Sequence, residues 1–145
     1  LRGEATAEAG AAATDSLLRA WHLPADELRM ADGSGLSRYN LVSPRLLAGL
    51  LAHMDRSASR EVWMAALPRA GVDGTLRERM QGTPLEGRVI AKTGTLTGVR
   101  SLSGYLTTAS GERVVFSFLV DSHLRSAAEV DRVVEAALQA VAAGR

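Results

Sequence analysis

Arg88-Val-Ile-Ala-Lys-Thr-Gly-Thr-Leu-Thr-Gly-Val-Arg-Ser-Leu-Ser-Gly-Tyr-Leu-Thr-Thr108, followed at Arg113 by Arg-Val-Val-Phe-Ser-Phe-Leu-Val120, decides the fold. Here β-branched and aromatic residues dominate, and the helical period of the preceding residues disappears. Three β segments are predicted, Arg88–Thr95, Val99–Thr108 and Arg113–Val120. Only Leu96-Thr-Gly98 and Ala109-Ser-Gly-Glu112 separate them. Connections this short join antiparallel strands and no others, so the expectation is a three-stranded meander. Downstream, Ser126-Ala-Ala-Glu129 reads as a capping box that opens a last helix. Val130, Val133, Val134, Ala137, Leu138 and Val141 form its apolar stripe, expected to pack on the sheet.

Upstream of the sheet the pattern is helical. The Ala-rich run Ala5–Ala13 continues through Asp15, Leu17, Leu18 and Trp21 and is expected to end before Pro24. Ser43 and Pro44 mark a helix start, as cap and first helical residue, with Leu46, Leu47, Leu50, Leu51 and Met54 at helical spacing behind them. A short helix is predicted around Glu61–Leu67, stopped by Pro68, then a turn at Gly71-Val-Asp-Gly74 and a single ambiguous helical turn over Thr75–Met80. Ala31–Asn40, rich in turn formers, reads as an ordered loop. Helices on either side of an antiparallel meander make the chain α+β.

Composition narrows the function classes. At 145 residues the chain is one domain's worth, and 46% hydrophobic residues exclude a disordered tail. A net charge of +1 gives no general field toward nucleic acid or an anionic membrane. No cysteine is present, which removes disulfides, thiolate metal sites and cysteine catalysis. Neither a signal peptide nor an apolar run near transmembrane length is visible. Because the chain opens at Leu1, it is expected to be processed, truncated or part of something longer. One count stands out: sixteen of the seventeen basic residues are arginine, and Lys92 is the sole lysine.

That lysine lies in Ala91-Lys-Thr-Gly-Thr95, on the first predicted strand. Lys92 offers a positive charge, Thr93 and Thr95 offer hydroxyl donors, and Gly94 lets a ligand approach the backbone. A strand N–H there could point at a developing oxyanion. Alone, the triplet reads first as a solvated lysine on a strand and only second as a carboxylate-binding site.

Other candidates are weaker. Ser34 and Ser37 do not sit in a Gly-x-Ser-x-Gly elbow, and their loop reads as structural, with Asp32 and Asn40 bonding backbone. Asp121-Ser122-His123 holds three triad residue types, but neighbours in sequence do not converge as triad members do. His22 and His53 lack a second ligand at helical spacing, so no metal site is expected. Arg77 and Arg79 around Glu78 read as a solvated face, and Trp63 as core.

Context raises the value of Lys92. Asp32-Gly-Ser-Gly-Leu-Ser-Arg-Tyr-Asn40, Leu67-Pro-Arg-Ala-Gly-Val-Asp-Gly-Thr-Leu76, Val89-Ile-Ala-Lys-Thr-Gly-Thr-Leu96 and Leu102-Ser-Gly-Tyr105 follow one another in order. Together they resemble the D-alanyl-D-alanine carboxypeptidase/endopeptidase family S13, the penicillin-binding protein 4 type, from about Ser16 to Val120. The resemblance implies an α/β/α sandwich, an antiparallel sheet covered by helices on both faces, within a β-lactamase/DD-peptidase-like transpeptidase fold. It also implies a serine acyl-transfer site built from Ser-x-x-Lys, Ser-x-Asn and Lys-Thr-Gly.

Only the third motif is present. With Val89 three residues before the sole lysine, no Ser-x-x-Lys exists in the chain. The sole asparagine, Asn40, follows Arg38 by two, so there is no Ser-x-Asn either. The expectation is therefore that residues 1–145 are the C-terminal part of a penicillin-binding domain, inactive alone. Its partners would be the missing N-terminal segment, the D-Ala-D-Ala stem peptide of peptidoglycan, and β-lactams. By the same resemblance, Lys92 would be catalytic, setting the electrostatics and binding the substrate carboxylate. Thr93, Gly94 and Thr95 would bind substrate, with the Thr95 N–H as half an oxyanion hole, and Asp32, Ser34, Ser37 and Asn40 would form a structural loop close by. No cofactor is called for, and the location would be periplasmic or extracytoplasmic. Two rivals remain: a non-catalytic module binding peptidoglycan or protein, and, more weakly, a β-lactamase-like hydrolase.

Overall fold

A computed structural model describes residues 6–144. Thr6 caps α1 (Ala7–Ala20), its hydroxyl accepting the Ala9 N–H, and Ala5 and Leu1 of the expected N-terminal region lie outside the described residues. A two-residue ladder follows, β1 (Leu28–Arg29) antiparallel to β2 (Leu41–Val42). Ser43 then caps α2 (Pro44–Arg56) by accepting the Leu46 N–H at 2.9 Å, as the Ser-Pro pair predicts. α3 (Arg60–Ala65) is short and ends ahead of Pro68. The ambiguous stretch after it holds only a 3-10 turn, Gly74–Leu76.

The meander is β3 (Val89–Leu96), β4 (Val99–Thr107) and β5 (Arg113–Val120), in that order and antiparallel throughout. A two-residue turn with Gly98 at φ +71° fixes the first register, pairing Leu96 with Val99 and Thr95 with Arg100. Side chains alternate along each strand, so the sheet has two working faces.

On one face, Val89, Ala91, Leu102, Leu106 and Phe116 meet Val130, Val134, Leu138 and Ala142 of α4 (Ala127–Ala142). Ala70, Leu76, Met80 and Leu85 of the irregular segment between α3 and β3 close the same core. On the other face α2 packs over β5 and β4. There the buried Tyr105 donates its hydroxyl to the Leu51 carbonyl at 2.7 Å and accepts from Trp63 Nε1 at 3.0 Å. Helices thus cover both faces, the expected α/β/α arrangement. A satellite cluster of Leu18, Ala25 and Leu46 joins α1 to the start of α2.

Three expectations need correction. The buried stripe of α4 is Val130, Val134, Leu138 and Ala142, whereas Val133 is 70% exposed and Val141 41%. The sheet face takes a narrow i, i+4 row of α4, narrower than the predicted stripe. Trp63 is half-buried at the rim, because its indole N–H must reach Tyr105. Arg79 is not on a solvated face: its side chain is 14% exposed and pairs with Glu135 at 2.8 Å and Asp131 at 3.1 Å, both on α4.

Candidate active site

β3 is an edge strand, and its outer side is closed over half its length only. Ala91 donates its N–H to the Pro68 carbonyl at 2.9 Å, and Val89 accepts from the Ala70 N–H at 2.9 Å. In an antiparallel strand the N–H and C=O of one residue share a side, and residues two apart share it too. Thr93 and Thr95 therefore also direct their backbone groups outward, beyond the end of the Pro68–Ala70 cover. The edge from Thr93 to Thr95 is a short row of main-chain donors and acceptors open to a ligand. Lys92 is exposed, and its Nζ donates to the Thr93 carbonyl, which brings the ammonium to this open edge.

The side chains divide between the faces. Lys92 and Gly94 lie on the α2 side, in register with Ser103 and Ser101. A Cβ on Gly94 would run into the Ser101 hydroxyl, so the glycine makes room for that serine. Thr93 and Thr95 lie on the α4 side. The Thr93 hydroxyl meets Thr75 Oγ1 at 3.0 Å, and the Thr95 hydroxyl accepts from Arg100 Nη1. Arg100 is gripped by Asp131 of α4 through Nε at 2.9 Å and Nη2 at 2.5 Å. The Asp131 hydrogen bond is the main influence raising the Arg100 guanidinium above its ordinary pKa.

The Asp32–Asn40 loop spans the ends of β1 and β2 and holds itself together. Asn40 Oδ1 accepts the N–H groups of Ala31 at 2.6 Å and Asp32 at 3.2 Å. Asp32 Oδ1 accepts the Ser34 hydroxyl at 2.6 Å and its N–H at 2.9 Å, which draws the Asp32 carboxyl below its ordinary pKa. The Ser37 hydroxyl accepts the Tyr39 N–H at 3.2 Å. Both serines are thus occupied with local turns. Arg38 from this loop reaches the Thr97 carbonyl, docking the loop at the β3–β4 turn next to Thr95.

Asp121, Ser122 and His123 form no triad. Asp121 accepts the Ser122 N–H, and His123 Nδ1 lies 3.0 Å from the Arg125 carbonyl. His53 stacks on Trp21 at 4.4 Å. Among the described residues no group of acidic, histidine or cysteine side chains could hold a metal.

Sequence reasoning missed Arg100, Asp131, Thr75 and the docking role of Arg38. Arg100 was within reach: a two-residue turn after Leu96 pairs Thr95 with Arg100 by counting alone. Asp131 was not, since nothing local says that the N-terminal half of α4 lies over that strand.

The family model for the D-Ala-D-Ala carboxypeptidase 3 (S13) family matches residues 1–144. The chain is 38% identical over 121 residues to D-alanyl-D-alanine carboxypeptidase DacB of Haemophilus influenzae, covering 82% of this chain and 25% of that protein. It is 40% identical over 126 residues to a D-alanyl-D-alanine carboxypeptidase of Actinomadura sp. strain R39, covering 83% and 23%. The fold superposes on the crystal structure of penicillin binding protein 4 from Haemophilus influenzae complexed with a β-lactam. The TM-score is 0.82 at 34% identity, over 93% of this chain and 34% of that one. The chain spans about a quarter of the length of these two relatives. The match over residues 1–144, with the meander and its Lys-Thr-Gly strand, establishes that the chain belongs to the D-Ala-D-Ala carboxypeptidase 3 (S13) family.

Proposed function

We propose that residues 1–145 supply one wall of the acyl-transfer site of a serine D-Ala-D-Ala carboxypeptidase/endopeptidase and form the C-terminal part of its penicillin-binding domain. The single observation that carries this reading is the open edge of β3, where the Lys92 ammonium and the outward Thr93 and Thr95 main-chain groups converge. A stem peptide would lie antiparallel along this edge and extend the sheet by one strand. Lys92 would attract the terminal carboxylate, with Thr93 and Thr95 as hydroxyl partners. The Thr95 N–H would form half the oxyanion hole, the second donor being the nucleophile's own N–H.

The nucleophile lies outside the chain, which has no Ser-x-x-Lys and no Ser-x-Asn. In the assembled site the serine oxygen would attack the carbonyl of the penultimate D-Ala. The C–N bond would break, the departing D-Ala amine would take the proton, and water would then hydrolyse the ester. A penicillin would enter the first half of this sequence and stop as the acyl-enzyme. Peptidoglycan as the substrate agrees with a location outside the cytoplasmic membrane, and no helix among the described residues is long and apolar enough to cross one.

The test joins this chain to an upstream segment bearing Ser-x-x-Lys and follows acylation by a penicillin. Lys92→Ala is expected to slow acylation about 100-fold or more, the scale of removing a principal electrostatic contact of the reacting group. Acylation at the unmodified rate would remove Lys92 from the site.

A further inference from the structure

Arg100 has a geometry that a purely structural ion pair does not require. Its Nε and Nη2 are both taken by Asp131, at 2.9 and 2.5 Å, which leaves Nη1 aimed at the Thr95 hydroxyl. Asp131 is itself shared with Arg79, which also pairs with Glu135, so the carboxylate that grips Arg100 is held from the other side. The Arg100 side chain is 18% exposed, whereas Thr95 is exposed on the open edge. The inner end of this chain of contacts is therefore fixed by α4, and its outer end lies at the exposed edge of β3.

A guanidinium donates hydrogen bonds and accepts none. A threonine hydroxyl has one proton and two lone pairs. When Arg100 occupies a lone pair of Thr95, the hydroxyl proton must point elsewhere, and the cation behind it strengthens the oxygen's donor character toward an anion. Thr93 is placed differently: its hydroxyl pairs with that of the exposed Thr75 at 3.0 Å, and among the described residues no cation stands behind it. The two threonines of the strand are thus not equivalent.

Resting on the reading above, we propose that Arg100 is a positioning residue, which, anchored by Asp131, turns the Thr95 hydroxyl into the dedicated donor for the substrate's terminal carboxylate. Arg100 touches Thr95 and not the reacting atoms, so its effect should appear only for ligands that carry the carboxylate.

The experiment is an NMR titration of the chain with N-acetyl-D-alanyl-D-alanine and, in parallel, its C-terminal carboxamide, following the Thr95 amide and methyl resonances. In the unmodified chain the acid is expected to shift Thr95, and the carboxamide is not. Thr95→Ser keeps the hydroxyl and should bind like the parent. Thr95→Val and Arg100→Gln should each weaken binding of the acid by at least about five-fold, the loss of a charge-assisted donor. Thr95→Val leaves the Arg100–Asp131 pair intact and so keeps the test valid where Arg100→Gln disturbs folding. Arg100→Lys, whose single ammonium cannot serve Asp131 and Thr95 in this forked geometry, should behave as Arg100→Gln does. Undiminished binding of the acid by folded Arg100→Gln and Arg100→Lys variants would overturn this inference and leave the proposed function standing. Equal response to acid and carboxamide would overturn this inference together with the carboxylate contact proposed above for Lys92. No response of any β3 residue in the unmodified chain would overturn both.

Discussion

Gly104 shows how narrowly single residues are specified around the edge strand. It lies opposite Ala91, and a Cβ there would meet the Ile90 carbonyl oxygen and stand 2.6 Å from the Ala91 Cα. These are backbone atoms of the candidate site's own strand and cannot swing aside. Gly104→Ala is expected to destabilise the chain by about 1–3 kcal/mol, the range of overpacked core positions, read as a lower midpoint in urea unfolding. An unchanged midpoint would mean that β3 and β4 separate more easily than their register implies. Asp32 gives a second residue-scale prediction. Its carboxyl is held below its ordinary pKa chiefly by the Ser34 hydroxyl, then by the Ser34 N–H. A depressed folded-state pKa means stability that is fully present above the unfolded value and lost as pH falls through the folded one. Loop order should therefore be constant above about pH 4 and decline below it, visible as faster exchange of the Ser34 amide and abolished by Asp32→Asn. A loop equally ordered at pH 2 would contradict the role given to Asp32.

At the scale of elements, α4 is held at its start by a reciprocal cap. Ser126 Oγ accepts the Glu129 N–H at 3.3 Å, and Glu129 Oε2 accepts the Ser126 N–H at 2.9 Å. Ser126→Ala should cost about 1 kcal/mol, the usual value for a lost N-cap, seen as a reduced thermal midpoint. No change would show that packing of Val130 and Val134 alone positions the helix. The elements were the most legible part of the sequence. Ser43-Pro44 and Ser126–Glu129 announced two helix starts because caps are local chemistry, and the short turns left the strands no choice but a meander. What stayed hidden was nonlocal. β1 and β2 are two residues each and carry no periodicity, so only the loop between them was visible. The face of α4 depended on a sheet surface that the helix sequence does not describe, and Arg79 looked solvated until α4 brought Asp131 and Glu135 to it.

The whole molecule presents Lys92, Thr93 and Thr95 on an edge that is covered at Ala91 and open beyond it. The candidate site was legible as a motif, because a sole lysine in Lys-Thr-Gly stands out among sixteen arginines. Its geometry was not, since the division of Lys92 and the two threonines between opposite faces follows from which face α2 and α4 each take. The central claim is that this wall binds the substrate and that the attacking serine lies elsewhere. Its most direct test is the intact mass of the chain after incubation with a penicillin, alone and then with a segment carrying Ser-x-x-Lys. No mass increase alone and a stoichiometric adduct on the added segment is the predicted result. A stoichiometric adduct on the chain by itself would contradict it, and would place a nucleophile among serines such as Ser34 and Ser37 that the structure ties into local turns.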